Sequence, residues 1–495
     1  QNSFAGNGTI AARSTVAVTD QIGIDLNVSG DDNNLGTPDY YSVNSQSDTL
    51  QDFPILDKAF ISGSNLTLTG WSKANATIEV FIAAPDPHGF GEGETYVETF
   101  VEGGAGDTDS STSNYGGIIN GLNQGADTTG PSRFSFTVPL ASLATTVVES
   151  DQLTATATLG GETSEFSGLA TVYEAASISG TVFVDQAGDG LADGPIGLAP
   201  NEFEAGVRIE LYRAGPDGNA DGVDDTYIGF TISSAVDGSY SFTALTKDTY
   251  YITVDSQGVD DGPYNGPYSG LDTWAEQTYR PVGAAIFDGS SWSYAATAGP
   301  FYGGAEADVS DNHLPANSLP TAEHIALVDA NSGTVKNVDF GFSFNVVTTT
   351  RGGSAAQDPG AGGGQRTVQG SLRQFITNAN AQSGANAMRF VPAEATNATG
   401  GGGNWWRVNA TAALPALEDD STTIDGTAYC AWDDGTQGCG AVTATRNPNS
   451  GTLGYVGPVG TGPDGVIGTA DEQTLAGLDR PELEIQGTSA SSYGF

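Results

Sequence analysis

The chain of 495 residues has room for three or four domains of about 100 to 200 residues each. Its 16 Lys+Arg face 60 Asp+Glu, a formal net charge of −44 at pH 7, which repels phosphate backbones and acidic lipid headgroups; general nucleic-acid and membrane-surface binding are excluded and cations are favoured. With 38% apolar and 15% charged residues, 69 Gly, one Met and four Lys, the composition describes an all-β, turn-rich protein of the extracellular space or cell surface.

Residues 1–52 carry short apolar pieces, such as Ile22–Leu26, between Asn, Asp and Gly turns and read as the closing coils of a solenoid. From residue 53 to 173 apolar positions alternate: Leu66 and Leu68; Ile78, Val80 and Ile82; Phe134, Phe136 and Val138; Leu153, Ala155, Ala157 and Leu159. Period two between Gly and Asn turns predicts a β-sandwich of about one immunoglobulin-like domain. A second alternating set (Ile178, Val182, Val184; Val207, Ile209, Leu211; Tyr240, Phe242; Tyr250, Ile252, Val254) closes with Val338, Phe340, Phe342 and Phe344. It predicts a second sandwich over 174–347, with a long insertion at 256–320 packed by its own aromatics.

The text after Asn345 is a flexible connector by composition, giving a Gly-rich linker over 348–370. One helix signal follows. Ser371 caps, Gln374 stands three residues on as in a capping box, and Leu372, Phe375 and Ile376 form an apolar stripe. Short β pieces then run to the end, so 371–495 reads as a capping helix and the opening coils of a parallel β-helix. The predicted fold class is all-β: two sandwiches flanked by partial parallel β-helix segments. No apolar run reaches the ~18 residues that would span a bilayer.

Several stretches resemble known modules. LQDFPILDKAF at 50–60 and TATATLGGETSEFS at 154–167 resemble the Ig-like module that follows right-handed β-helices in large bacterial surface proteins. SISGTVFVDQAGDGLADG, DGSYSFTALTKDTYYITV and VDFGFSF resemble the B-type repeat of serine-aspartate-repeat adhesins, related to collagen-adhesin B domains. GSLRQFITNANA, TTIDGTAY and RPELEI resemble the opening of a β-helix in the same giant proteins. The resemblance implies secreted, multidomain, calcium-stabilised stalks and no single ligand. The first strand of the B-type module, TVFVD, lacks the Lys that forms an isopeptide crosslink in many of its relatives, so no such bond is expected.

Carboxylates interleaved with Gly in turns carry the clearest chemistry. In GPDGNADGVDD, Asp217, Asn219, Asp221, Asp224 and Asp225 are spaced to converge oxygens on one point, as a hard cation such as Ca²⁺ requires. Asp185, Asp189 and Asp193 resemble the calcium loop of the adhesin B repeat, and Asp464, Asp471 and Glu472 form a third acidic turn. The bland alternative is that Asp-Gly makes good solvated turns. Cys430 and Cys439 lie nine apart in a Gly- and Asp-rich loop and are expected to form a local disulfide, two buried thiols being the alternative.

No catalytic set stands out. Asp425 reads as a turn residue, and the adjacent Trp405 and Trp406 as one ring to each face of a strand rather than a sugar platform. The expected function is therefore a non-enzymatic, calcium-stabilised subunit of an extracellular filament, joining copies of itself head to tail through its β-helix ends. The alternatives are a non-polymerising adhesin stalk that binds glycan or matrix protein and, more weakly, a β-helix carbohydrate-active enzyme.

Overall fold

A computed structural model of the chain describes residues 51–84, 89–191, 205–259, 273–306, 309–312, 319–352, 367–382, 385–400, 403–410, 412–431, 444–449, 452–453, 457–475 and 478–487. The expected solenoid coils at 1–50, together with Asp193 and Cys439, lie outside the described residues. The remainder is almost wholly β-structure. The chain divides into two compact units, residues 1–176 with 243–247, and residues 177–242 with 248–495.

Seven main strands build the first unit: β1 (Ile55–Ser62), β2 (Asn65–Ser72), β3 (Thr77–Ala84), β4 (Glu92–Val101), β5 (Ser132–Pro139), β6 (Gln152–Leu159) and β7 (Ala170–Glu174). Their order is β4-β3-β6-β7-β1-β2-β5. Strand β7 pairs in parallel with β1 and antiparallel with β6, and so hands one sheet on to the other. The alternation read from sequence points Leu66, Leu68, Ile78, Val80, Phe134, Phe136, Leu153 and Ala155 into one core. Phe136 stacks between Phe100 (4.5 Å between ring centroids) and Phe134 (5.2 Å). Each such ring contributes about 1.5–3 kcal/mol through burial.

The second unit contains β8 (Ala176–Val184), β9 (Arg208–Arg213), β10 (Thr226–Ile232), β11 (Ser239–Leu245), β12 (Thr249–Val254), β13 (Glu276–Arg280), β14 (Ile325–Asp329) and β15 (Phe340–Ser343). One sheet runs β11-β8-β15-β13 and the other β10-β9-β12-β14, a sandwich-type pair. Val207, Ile209, Leu211, Tyr250, Ile252 and Val254 are buried as their alternation predicts.

The 256–320 insertion differs from expectation. Its strand β13 enters the sheet, pairing antiparallel with β15 (Glu276 opposite Ser343, Gln277 opposite Phe342), so the insertion is part of the sandwich. The segment EQTYR has no apolar alternation to betray a strand, because polar groups packed against other polar groups occupy its buried positions.

The linker also starts later than predicted. Val346–Val347 forms strand β16, paired in parallel with β17 (Ala387–Phe390), while Thr348–Thr350 and Val368–Gln369 are buried. β-Branched residues favour pleated strands, and Val346–Thr350 is an unbroken run of them. The Gly-rich stretch beyond misled the compositional reading.

Helix α1 (Leu372–Ala381) begins at Ser371, whose hydroxyl accepts the Gln374 N–H at 3.2 Å. Only half of the expected capping box forms. The Gln374 side-chain oxygen instead accepts from the Thr367 N–H (2.9 Å) and hydroxyl (3.0 Å), and its Nε2 donates to Asn378. Strands β16, β17 and β19 (Thr423–Ala428) form one parallel ladder, and β18 (Gly403–Ala410) and β20 (Leu483–Gly487) form another. Val347, Met388, Phe390, Trp406 and Ala428 share one core with Leu372, Phe375, Ile376 and Ala379 of α1.

Candidate metal centre and open strand edges

The β9–β10 connection holds the GPDGNADGVDD turn. Asp225 staples it, its Oδ1 accepting the Gly215 N–H at 2.8 Å and its Oδ2 the Gly222 N–H at 2.9 Å. Gly222 takes φ +73°, a conformation that leaves the chain free to double back. Asn219 donates its N–H (2.8 Å) and its side-chain amide (3.0 Å) to Asp217, and the Asp221 carboxylate receives the Val223 N–H at 2.9 Å. Ala220 is buried beneath, and the Tyr294 hydroxyl donates to the Gly218 carbonyl at 2.8 Å.

This scaffold brings one carboxylate oxygen each from Asp217, Asp221 and Asp224 within 4.8 Å of one another, at the solvent-facing side of the turn. Such a set can chelate a hard divalent cation. Burial, with the like charges of Asp224 and Asp221 adding to it, pushes the Asp225 carboxyl above its ordinary range. A cation at the three oxygens would relieve that repulsion.

The other two acidic turns are built differently. Asp185 is buried and accepts N–H groups from Asp189 (3.3 Å) and Gly190 (2.7 Å), while Asp189 accepts from Leu191 at 3.1 Å. Asp464 accepts from Val466 at 2.8 Å, Asp471 from the Thr469 hydroxyl at 2.6 Å, and Glu472 from the Gly468 and Thr469 N–H groups. Their oxygens serve as local turn acceptors, and the structure does not gather either set into a three-carboxylate group among the described residues. Asp425 likewise accepts from the Thr427 N–H at 2.9 Å.

Similar staples recur in the second unit. Asp237, Asp288 and Asp329 each accept the N–H two residues on, from Ser239, Ser290 and Asn331. The Ser290 hydroxyl and neighbouring N–H groups hold Asp288 down at about 2, the Ser239 hydroxyl lowers Asp237, and the Asn331 N–H lowers Asp329.

At the stack of parallel strands the two tryptophans divide as expected. Trp406 is sealed in the core, edge-on to Phe390, and donates to the Glu394 carbonyl at 3.1 Å. Trp405 lies on the outer face, donating to Glu484, which also accepts from Arg407 Nε at 2.7 Å. Val347, Phe390 and Trp406 are buried in this core, whereas Leu414, Leu417, Ile424, Leu483 and Ile485 packed against it are only partly buried. Cys430 is buried and disulfide-bonded; Cys439 lies outside the described residues.

Sequence reading missed a buried group formed by Glu276, Asp311, Glu323 and His324 in the second unit. These residues come from three separate stretches with no common spacing, only Glu323 and His324 being adjacent.

No protein-family model matches the sequence. Among solved structures, the chain is similar to domains D2 and D3 of the major pilin SpaD from Corynebacterium diphtheriae, at 9% identity over 59% of this chain and 98% of that one, with a TM-score of 0.15. It is also similar to the T6 backbone pilin of serotype M6 Streptococcus pyogenes, at 8% identity over 59% of this chain and 67% of that one, with a TM-score of 0.16. Superposition at this level defines no function for the chain. Among the described residues, no helix is long and apolar enough to cross a membrane.

Proposed function

We propose that this protein is a structural, calcium-stabilised subunit of an extracellular surface fibre, and that it joins its neighbour through the open end of its parallel strand stack. One observation carries the reading. In the apolar core shared with α1, Ile424, Leu483 and Ile485 of the last strands stay half covered. Among the described residues, strands β19 and β20 end their ladders, leaving backbone donors and acceptors for a further parallel rung. We read the stack as the first coils of a β-helix and take a second copy as the source of the next rung, its residues 1–52 supplying the mating coils. A contact between two different ends of one chain is heterologous and propagates a filament unless it closes into a ring.

Light scattering and negative-stain microscopy of the purified full chain test this. Linear polymers are expected, and Ile485→Asp should leave monomers with an unchanged melting temperature. A wild-type chain that stays monodisperse at high concentration removes the proposal.

A further inference from the structure

The buried acidic group in the second unit lies where its sandwich meets the segment leading into α1. Asp311 is sealed from solvent. Ser256 donates both its N–H and its hydroxyl to Asp311 Oδ2 at 2.8 Å, and the Glu323 N–H donates to Oδ1 at 3.2 Å. Three donors complement a carboxylate's charge. Glu276, also buried, accepts the Gln277 N–H at 2.7 Å and the Thr348 hydroxyl at 3.2 Å; Glu323 accepts the Glu306 N–H at 2.9 Å.

Gln369 ties the approach to α1 into this group. Its N–H donates to the Ser310 hydroxyl (2.9 Å), its Oε1 accepts from the Asp311 N–H (2.9 Å), and its Nε2 donates to the Ala275 carbonyl (2.7 Å). Its Nε2 also donates to the Ser256 hydroxyl at 3.1 Å, and the buried His324 ring lies alongside, Nδ1 3.1 Å from Gln277 Oε1 and Nε2 4.0 Å from Asp311 Oδ2. Asn378 of α1 completes the attachment at Trp274.

We propose that this joint is a proton-held latch: protons on Glu276 and Glu323 let residues 367–382 seat against the sandwich, and losing them favours opening. Asp311 already places one carboxylate in the pocket, and a second or third negative charge there has poor solvation. Glu306 and Glu276 also bear on Glu323, and Glu276 faces Asp311. Arg280 lies over the Phe301 ring at 4.6 Å and Arg373 of α1 donates to the Ala412 carbonyl at 2.9 Å, while the His324 ring, its Nε2 4.0 Å from Asp311 Oδ2, is the group beside the acids that could carry a positive charge.

Burial, with Asp311's charge adding to it, raises Glu276 to about 8 and holds Glu323 well above the usual carboxyl range. An opened joint returns Glu276 to an ordinary carboxyl value near 4.5. Between those limits the closed state holds one more proton on Glu276, and Glu323 adds a second. The advantage is complete below the lower limit and is lost as pH rises, by up to about tenfold per pH unit for each proton.

Hydrogen exchange of the full chain between pH 6.5 and 8.5, corrected for the chemical exchange rate, reads the latch. Protection of the α1 amides is expected to fall at least about 15-fold from pH 6.5 to pH 8. Amides of β3 and β6 in the first unit should hold, and Glu276→Gln should make the α1 dependence shallower. Flat α1 protection in the wild type overturns the latch, as does an equal fall in the first unit or an unaltered slope in the variant. If Glu276→Gln does not fold, Glu323→Gln takes its place and the wild-type series still decides.

Discussion

Asn378 holds Trp274 at both backbone groups: its Oδ1 accepts the Trp274 N–H at 2.9 Å and its Nδ2 donates to the Trp274 carbonyl at 2.9 Å. The same Nδ2 reaches the Phe344 carbonyl at 3.1 Å. Removing this amide strands buried backbone groups, so Asn378→Ala is expected to cost the second unit about 2–4 kcal/mol. Asn378→Asp keeps the shape, loses the donor and adds a buried charge, and should be no milder. Denaturant titration measures both; a loss below about 0.5 kcal/mol contradicts the clamp.

Arg208 guards a buried acid. Its guanidinium lies 2.7 Å from Glu210 and 3.7 Å from the Phe230 ring, and Glu210, fully buried, also accepts from the Tyr212 hydroxyl. Arg208→Ala is expected to cost about 3–5 kcal/mol, because it leaves Glu210 buried with its cation gone. Adding Glu210→Gln should recover part of that loss, and a double-mutant cycle tests the coupling.

Gly70 is fixed by space. A β-carbon there would come 1.9 Å from the Ile55 carbonyl oxygen and 2.7 Å from the Phe134 ring. Gly70→Ala is expected to destabilise the first unit by about 1–3 kcal/mol or more, with the second unit's melting transition unmoved in calorimetry.

The strands of both sandwiches were legible because one face is buried and the other wet, so Leu66, Leu68, Phe134 and Phe136 announce themselves by alternation. Strand β13 was not, since Glu276 and Gln277 are buried against partners 72 and 47 residues away along the chain, Thr348 and His324. The acidic turns were legible as turns. Which of them gathers carboxylates depends on backbone direction: in the 217–225 loop three side chains converge, while in the 464–472 loop Asp464, Asp471 and Glu472 each accept from a nearby N–H or hydroxyl.

The 217–224 group yields a ligand prediction. Calcium is expected to raise the melting temperature of the second unit, and excess chelator to lower it, by up to about 2.7 kcal/mol at a concentration 100 times Kd. Asp224→Asn should remove the response and Asp464→Asn should keep it. A melt that is indifferent to both calcium and chelator counts against the site.

The stapled aspartates bear on how the molecules behave in a crowd. Because turn hydrogen bonds favour the ionised forms of Asp237, Asp288 and Asp329, these groups keep their charge in mildly acidic water, and Asp288 gives it up only near pH 2. Their contribution to folding is present above the ordinary carboxyl range and fades only as pH falls toward those lowered values. Souring the medium therefore leaves these charges in place, and with them part of the mutual repulsion between molecules that opposes clumping.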